Sequence, residues 1–157
     1  MIQLLFVCLG NICRSPAAEA IMNQLLEDTK MNHQIICDSV GLTTNFFGQP
    51  ADKMMAEVAT ERGYPISSVS RPITPEDCDA ADFILAMDND ILSELRLITN
   101  STINTEKIQL ICDFCEFHPD TEVPDPYSGE KDHFAFVIDL LEDACQGLLT
   151  QLKNRIN

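Results

Sequence analysis

Residues 2–16 read IQLLFVCLGNICRSP, and the change of pattern inside them decides the fold class. Ile2 to Cys8 is a near-continuous apolar run of strand length, without the alternation that a half-exposed strand shows. Ser15-Pro16 then supplies a cap residue and a first-turn proline, which starts a helix over residues 16–29. Working outward, residues 34–38 (QIICD), 82–88 (DFILAMD) and 107–112 (KIQLIC) repeat the apolar strand pattern. Helix-length amphipathic segments lie between them: residues 50–62, stopped by Arg62-Gly63, a capped start at Thr74-Pro75-Glu76-Asp77, and residues 89–98. Residues 131–153 place Phe134, Val137, Ile138, Leu141, Ala144, Cys145, Leu148, Leu149 and Leu152 at core-facing helical spacing. Strand and helix alternate throughout, so the class is α/β with a parallel sheet and right-handed crossovers. No repeat, low-complexity tract or linker divides the chain, and residues 1–157 read as a single domain. Sites in such sheets lie beyond the carboxyl ends of the strands, and the first strand ends at Cys8.

Composition narrows the function classes. Ten basic residues against 25 acidic ones give a formal charge of −15. A chain this acidic repels polyanions at long range, which argues against nucleic acid or an anionic membrane as partner. No apolar run reaches the ~18 residues that span a bilayer, and the N-terminus lacks the charged start of a signal peptide. Seven cysteines are an odd number, which fits reduced thiols in the cytoplasm better than a secreted disulfide framework.

The segment Cys8-Leu9-Gly10-Asn11-Ile12-Cys13-Arg14-Ser15 carries the chemistry. A cysteine and an arginine six positions apart, with Gly10 permitting a tight curve, can wrap a tetrahedral oxyanion. Successive backbone N–H groups turn inward as a nest, and the following helix adds the positive end of its dipole. Arg14 offers a planar, two-pronged donor that matches two phosphoryl oxygens. The same positive field favours the thiolate of Cys8, the form able to make a covalent phosphocysteine.

FVCLGNICRSPAAEA resembles the signature of the low-molecular-weight protein tyrosine phosphatases. Further matches follow in the family's order over nearly the whole chain. They are Asp38-Ser39-Val40-Gly41, Arg71-Pro72-Ile73, the segment Asp82 to Asp88, and Val123-Pro124-Asp125-Pro126-Tyr127. The resemblance implies a four-stranded parallel sheet with helices on both faces, and hydrolysis of phosphotyrosine in proteins or peptides without metal or cofactor. It makes Cys8 the nucleophile and Arg14 the phosphate binder. Asn11 and Ser39 brace the loop, and Ser15 bonds the Cys8 sulfur. Inorganic phosphate and oxyanion analogues are expected to bind the same loop. A departing phenolate needs a proton, and Asp125, stiffened between two prolines, is the expected general acid and then base. Cys13, in the same loop, is either a small core residue or, as the family implies, the thiol that captures oxidised Cys8 as a reversible disulfide.

The pocket wall is expected from Leu9, Ile12, Tyr127 and either Phe46 or Phe47, because Asn45 falls where the family places its aromatic residue. Ser128 stands in place of a second tyrosine found in many members. Alternatives of the same fold are a protein arginine phosphatase, which carries threonine where this chain has Ile12, and an arsenate reductase. The latter needs two further cysteines near the third strand, where Cys78 stands alone. A phosphopeptide-binding module would lack the nucleophile or the acid. Cys112-Asp113-Phe114-Cys115, with His118 nearby, reads as a fortuitous pair rather than a metal or redox site.

Overall fold

The N-terminal apolar run forms strand β1, Ile2–Cys8, in a computed structural model that describes residues 1–99 and 105–157. Its unbroken hydrophobicity has a simple cause. Leu4, Phe6 and Cys8 enter one core while Leu5 and Val7 enter another on the opposite face. Strands β2 (Ile35–Gly41), β3 (Phe83–Ala86) and β4 (Ile108–Leu110) complete a four-stranded parallel sheet in the order β2-β1-β3-β4.

Helices cover both faces. Helices α1 (Arg14–Asp28), α2 (Lys53–Glu61) and α5 (Lys131–Ile156) share the larger core with Leu4 and Phe6 through Ile21, Met22, Met55, Ile138 and Leu141. Helices α3 (Pro75–Ala80) and α4 (Asn89–Thr99) close the smaller core through Cys78, Ile91 and Leu95. Each fully buried aliphatic or Phe side chain adds about 1.5–3 kcal/mol, so β1, buried on both sides, anchors the sheet. Among the described residues, no helix is long and apolar enough to cross a membrane.

Capping sets the helix starts. Thr74 and Asp77 form a reciprocal capping box ahead of Pro75, and the Asp52 carboxylate accepts the N–H groups of Met54 and Met55. Helix α2 therefore begins at Lys53 rather than at residue 50, because Pro50 pairs with Val69 in an isolated bridge. Strand β2 differs from a doubly covered strand. It lies at the sheet edge, leaves Ile36 43% exposed, and continues to Gly41 by pairing in register with Cys8. Beyond β4, Asp143 of α5 accepts the N–H groups of Glu116 (2.9 Å), Phe117 (3.0 Å) and His118 (2.8 Å) and meets the His118 Nδ1 at 2.8 Å. Burial alone would raise its pKa, but these donors outweigh burial and hold it down to about 2.

Candidate active site

The loop between β1 and α1 is held by its carbonyls. The Leu42 N–H donates to the carbonyls of Cys8 (3.1 Å) and Leu9 (2.9 Å), and the Asp52 N–H donates to that of Ile12 (2.8 Å). The Ser70 hydroxyl donates to the Gly10 carbonyl at 2.8 Å, and the Ala17 N–H reaches that of Cys13 at 3.3 Å. In a planar trans peptide the N–H points opposite to the C=O. Drawing these carbonyls outward therefore turns the N–H groups of Leu9, Gly10, Asn11 and Cys13 the other way, and among the described residues none of the four donates to a protein acceptor. The result is a nest suited to an anion. Gly41 permits the close approach, since a Cβ there would meet the Leu9 oxygen at 2.9 Å and the Asn11 nitrogen at 3.0 Å.

Asn11 holds the tightest point, with φ of 57°, a conformation that costs a non-glycine residue roughly 1–2 kcal/mol. Its side chain offsets that cost. The Oδ1 accepts the Arg71 backbone N–H at 3.0 Å, while the Nδ2 donates to the hydroxyls of Ser15 (2.8 Å) and Ser39 (3.1 Å). Ser15 Oγ in turn lies 3.0 Å from the sulfur of Cys8, which is 3% exposed.

Arg14, the first residue of α1, is as buried as Cys8. Its Nη1 donates to Asp88 Oδ2 (2.7 Å) and to the Val123 carbonyl (2.9 Å). With Nη1 occupied, the edge formed by Nε and Nη2 is left to take two oxygens side by side. Asp88 has a second task, because its Oδ1 accepts the Ile91 N–H at 2.8 Å at the start of α4. Asp125 Oδ2 stands 3.8 Å from Arg14 Nη2, and its Oδ1 accepts the Tyr127 N–H at 3.1 Å, so the carboxyl is turned toward the loop.

These groups converge on a cavity of about 220 Å³ lined by Cys8, Leu9, Gly10, Ile12, Cys13, Arg14, Phe46, Asp125 and Tyr127. The rings of Phe46 and Tyr127 meet edge to face, with centroids 6.0 Å apart. Gly10 gives Phe46 its place, since a Cβ there would lie 2.7 Å from the ring. Phe47 is 67% exposed and outside the lining, so of the two candidates Phe46 walls the cavity. Asn11, Ser15 and Ser39 stand behind the loop as braces. Burial, reinforced by the negative charge of Asp52, pushes the Cys13 thiol far up.

Several contributors escape a reading of the sequence. Asp88 could have been suspected as an acid just past the end of β3, at the sheet's carboxyl edge. Ser70 and the Arg71 backbone carry no such signal, because they arrive from a loop 60 positions away. Of the Cys-x2-Cys pair, Cys112 is buried, and burial raises the two thiols to about 11 and about 12. The neighbouring His118 ring is engaged by Asp143. Among the described residues, no group of three or more His, Cys, Asp or Glu side chains is placed to hold a metal.

Comparison with known proteins agrees with this geometry. The family model described as low molecular weight phosphotyrosine protein phosphatase matches residues 3–157. A crystal structure of protein tyrosine phosphatase from Entamoeba histolytica, with Hepes in the active site, superposes with a TM-score of 0.95 at 44% identity, covering 100% of both chains. The low molecular weight protein-tyrosine-phosphatase YfkJ of Bacillus subtilis is 34% identical over 154 residues, 98% of this chain and 97% of that one. The human low molecular weight phosphotyrosine protein phosphatase is 34% identical over 150 residues, 94% and 93% of the two chains. Fold, loop and relatives agree, and the chain belongs to the low molecular weight phosphotyrosine protein phosphatase family.

Proposed function

We propose that this phosphatase hydrolyses phosphotyrosine in proteins or peptides through a phosphocysteine on Cys8, with residues 1–157 acting as one catalytic domain. The supporting observation is the convergence on one cavity of a buried sulfur, the free edge of a buried guanidinium and a carboxyl 3.8 Å from it. The loop N–H groups and the Arg14 edge hold three phosphoryl oxygens, a cradle that also suits inorganic phosphate and its oxyanion analogues. The Cys8 thiolate attacks phosphorus. The S–P bond forms, the P–O bond to the ring breaks, and Asp125 gives its proton to the departing phenolate. In the second step Asp125, now a carboxylate, takes a proton from water. The water oxygen bonds to phosphorus and the S–P bond breaks. Ser15 donates to the thiolate as it is released, and inorganic phosphate leaves.

Depth sets selectivity. The buried sulfur shares its cavity with the Phe46 and Tyr127 rings, and phosphotyrosine holds its phosphorus farther from the peptide backbone than phosphoserine does. After peroxide converts Cys8 to its sulfenic acid, attack by Cys13 on that sulfur would release water and leave a disulfide. The reduced state that cycle needs fits the cytoplasm.

The experiment is a side-by-side assay of phosphotyrosine, phosphoserine and phosphoarginine peptides without added metal, with acid-quench mass spectrometry of the Cys8 peptide. Phosphotyrosine turnover with phosphate on Cys8, abolished by Cys8→Ser and severely impaired by Arg14→Lys, is the expected result. Retained turnover in either variant overturns the mechanism. Preferential phosphoarginine or phosphoserine turnover overturns the substrate assignment.

A further inference from the structure

Glu19, on the second turn of α1, has no part in the cavity. Its Oε1 accepts the Ser39 hydroxyl at 2.6 Å, and the contacts beyond it run without a break to the nucleophile. Ser39 Oγ is 3.1 Å from Asn11 Nδ2, Asn11 Nδ2 is 2.8 Å from Ser15 Oγ, and Ser15 Oγ is 3.0 Å from Cys8 Sγ.

The direction of this chain follows from what each group can do. A carboxylate only accepts, so Ser39 must spend its single proton on Glu19 and present a lone pair to Asn11. Asn11 must then turn its NH₂ toward the serines, an orientation completed by the Arg71 N–H on its Oδ1. The second amide proton occupies a lone pair of Ser15. The one Ser15 proton is left to choose between the Cys8 sulfur and the Val40 carbonyl at 3.3 Å. An anionic sulfur is the stronger acceptor and takes it.

We infer that Glu19 is a positioning residue for the phosphatase reaction: by accepting from Ser39 it sets the donor–acceptor polarity of the Ser39–Asn11–Ser15 chain and so aims the Ser15 proton at the Cys8 sulfur. This rests on the phosphocysteine reading above. Burial raises the pKa of Glu19 while the Ser39 hydroxyl opposes that shift, so the acceptor is kept at an electrostatic cost that packing alone does not require. Glu19 also borders an open groove beside Pro16, Asn23 and Ile66, so an uncharged replacement does not disturb a closed core.

The test uses the whole chain and compares Glu19→Met, Glu19→Gln, Ser15→Ala and the Glu19→Met/Ser15→Ala double variant. Two readouts are taken: kcat/KM on p-nitrophenyl phosphate, and the rate at which iodoacetamide alkylates Cys8, followed on its peptide without substrate. Glu19→Met, which removes the acceptor, should lower both by about five- to tenfold, the loss of one hydrogen bond. Glu19→Gln keeps an oxygen acceptor and should recover most of that loss. The double variant should fall no further than Ser15→Ala alone, because both act through one proton. Losses that multiply in the double variant, or a Gln variant as impaired as Met, overturn the inference. If the wild type hydrolyses no aryl phosphate, the phosphatase reading falls, while the alkylation rates still decide whether the relay acts.

Discussion

Replacing Asp143 by asparagine keeps the shape of the side chain and removes its charge. The carboxylate receives three backbone N–H groups and the His118 ring, and they hold its pKa near 2, against ~3.9 for a free aspartate. At about 1.36 kcal/mol per pH unit, that difference corresponds to about 2–3 kcal/mol of folding stability. The sign follows from the depressed value. The unfolded chain binds the proton more readily, so the stabilisation is complete above about pH 4 and disappears as pH falls through about 2. Urea unfolding of wild type and Asp143→Asn in parallel, from about pH 7 to about pH 2.5, measures it. The gap should be about 2 kcal/mol at neutral pH and shrink steadily below about pH 4. Other acids titrate in both proteins and cancel in the difference. A gap of the same size at both ends of the range would show that the charge of Asp143 does not stabilise the Glu116–His118 turn, and would refute the argument.

Asp125→Asn should slow phosphotyrosine peptide hydrolysis by about 10²–10⁴-fold and p-nitrophenyl phosphate, whose phenolate leaves more easily, far less; equal losses would remove Asp125 as the acid. Asp88→Ala takes a charge-assisted bond of about 1.5–3 kcal/mol from Arg14 and a cap of ~1 kcal/mol from α4. Denaturant melts should register the sum, and competitive inhibition by inorganic phosphate should weaken, whereas unchanged inhibition would mean the Val123 carbonyl alone holds the guanidinium. Phe46→Ala should raise KM for aryl phosphates by about tenfold, and Phe47→Ala should leave it within about twofold; the reverse order in steady-state assays would contradict the wall assigned here. Residues 113–145 hold ten acids against one lysine, so a lysine-flanked phosphotyrosine peptide should outrun a glutamate-flanked one in kcat/KM. That advantage should collapse as the Debye length falls from ~10 Å at 0.1 M salt to ~3 Å at 1 M, and equal values at low salt would leave the acidity a matter of solubility.

What could be read from the sequence was whatever local pattern determines. Strand β1, the loop and α1 were legible because a strand pattern meets a helix start within fifteen residues, and Cys8 and Arg14 lie in that junction. Element ends were less so. The start of α2 depends on the Pro50–Val69 bridge, and the extra length of β2 on its pairing with β1, both long-range facts. The choice between Phe46 and Phe47 was equally closed to pattern reading. Both residues are apolar, and what seats one ring in the cavity is the missing Cβ of Gly10. Asp88 went unassigned because its partner Arg14 is 74 positions away, and an acid between a strand and a helix is ordinarily read as a helix cap.

The outward pinning of the loop has a kinetic side. Its shape is imposed by Leu42, Asp52, Ser70 and Arg71, and the guanidinium beside it is steadied by Asp88 and by Val123, 109 residues downstream. Synthesis runs from the N-terminus toward the C-terminus, so Cys8 leaves the ribosome before the residues that complete its setting. Such long-range closures come late, since chain entropy opposes them until the intervening segments have folded. A nascent chain ending before Val123 carries the sulfur but neither the Val123 carbonyl that steadies Arg14 nor the carboxyl of Asp125. Until the chain has passed Asp125, the Cys8 thiol thus lies outside the environment that the folded loop provides.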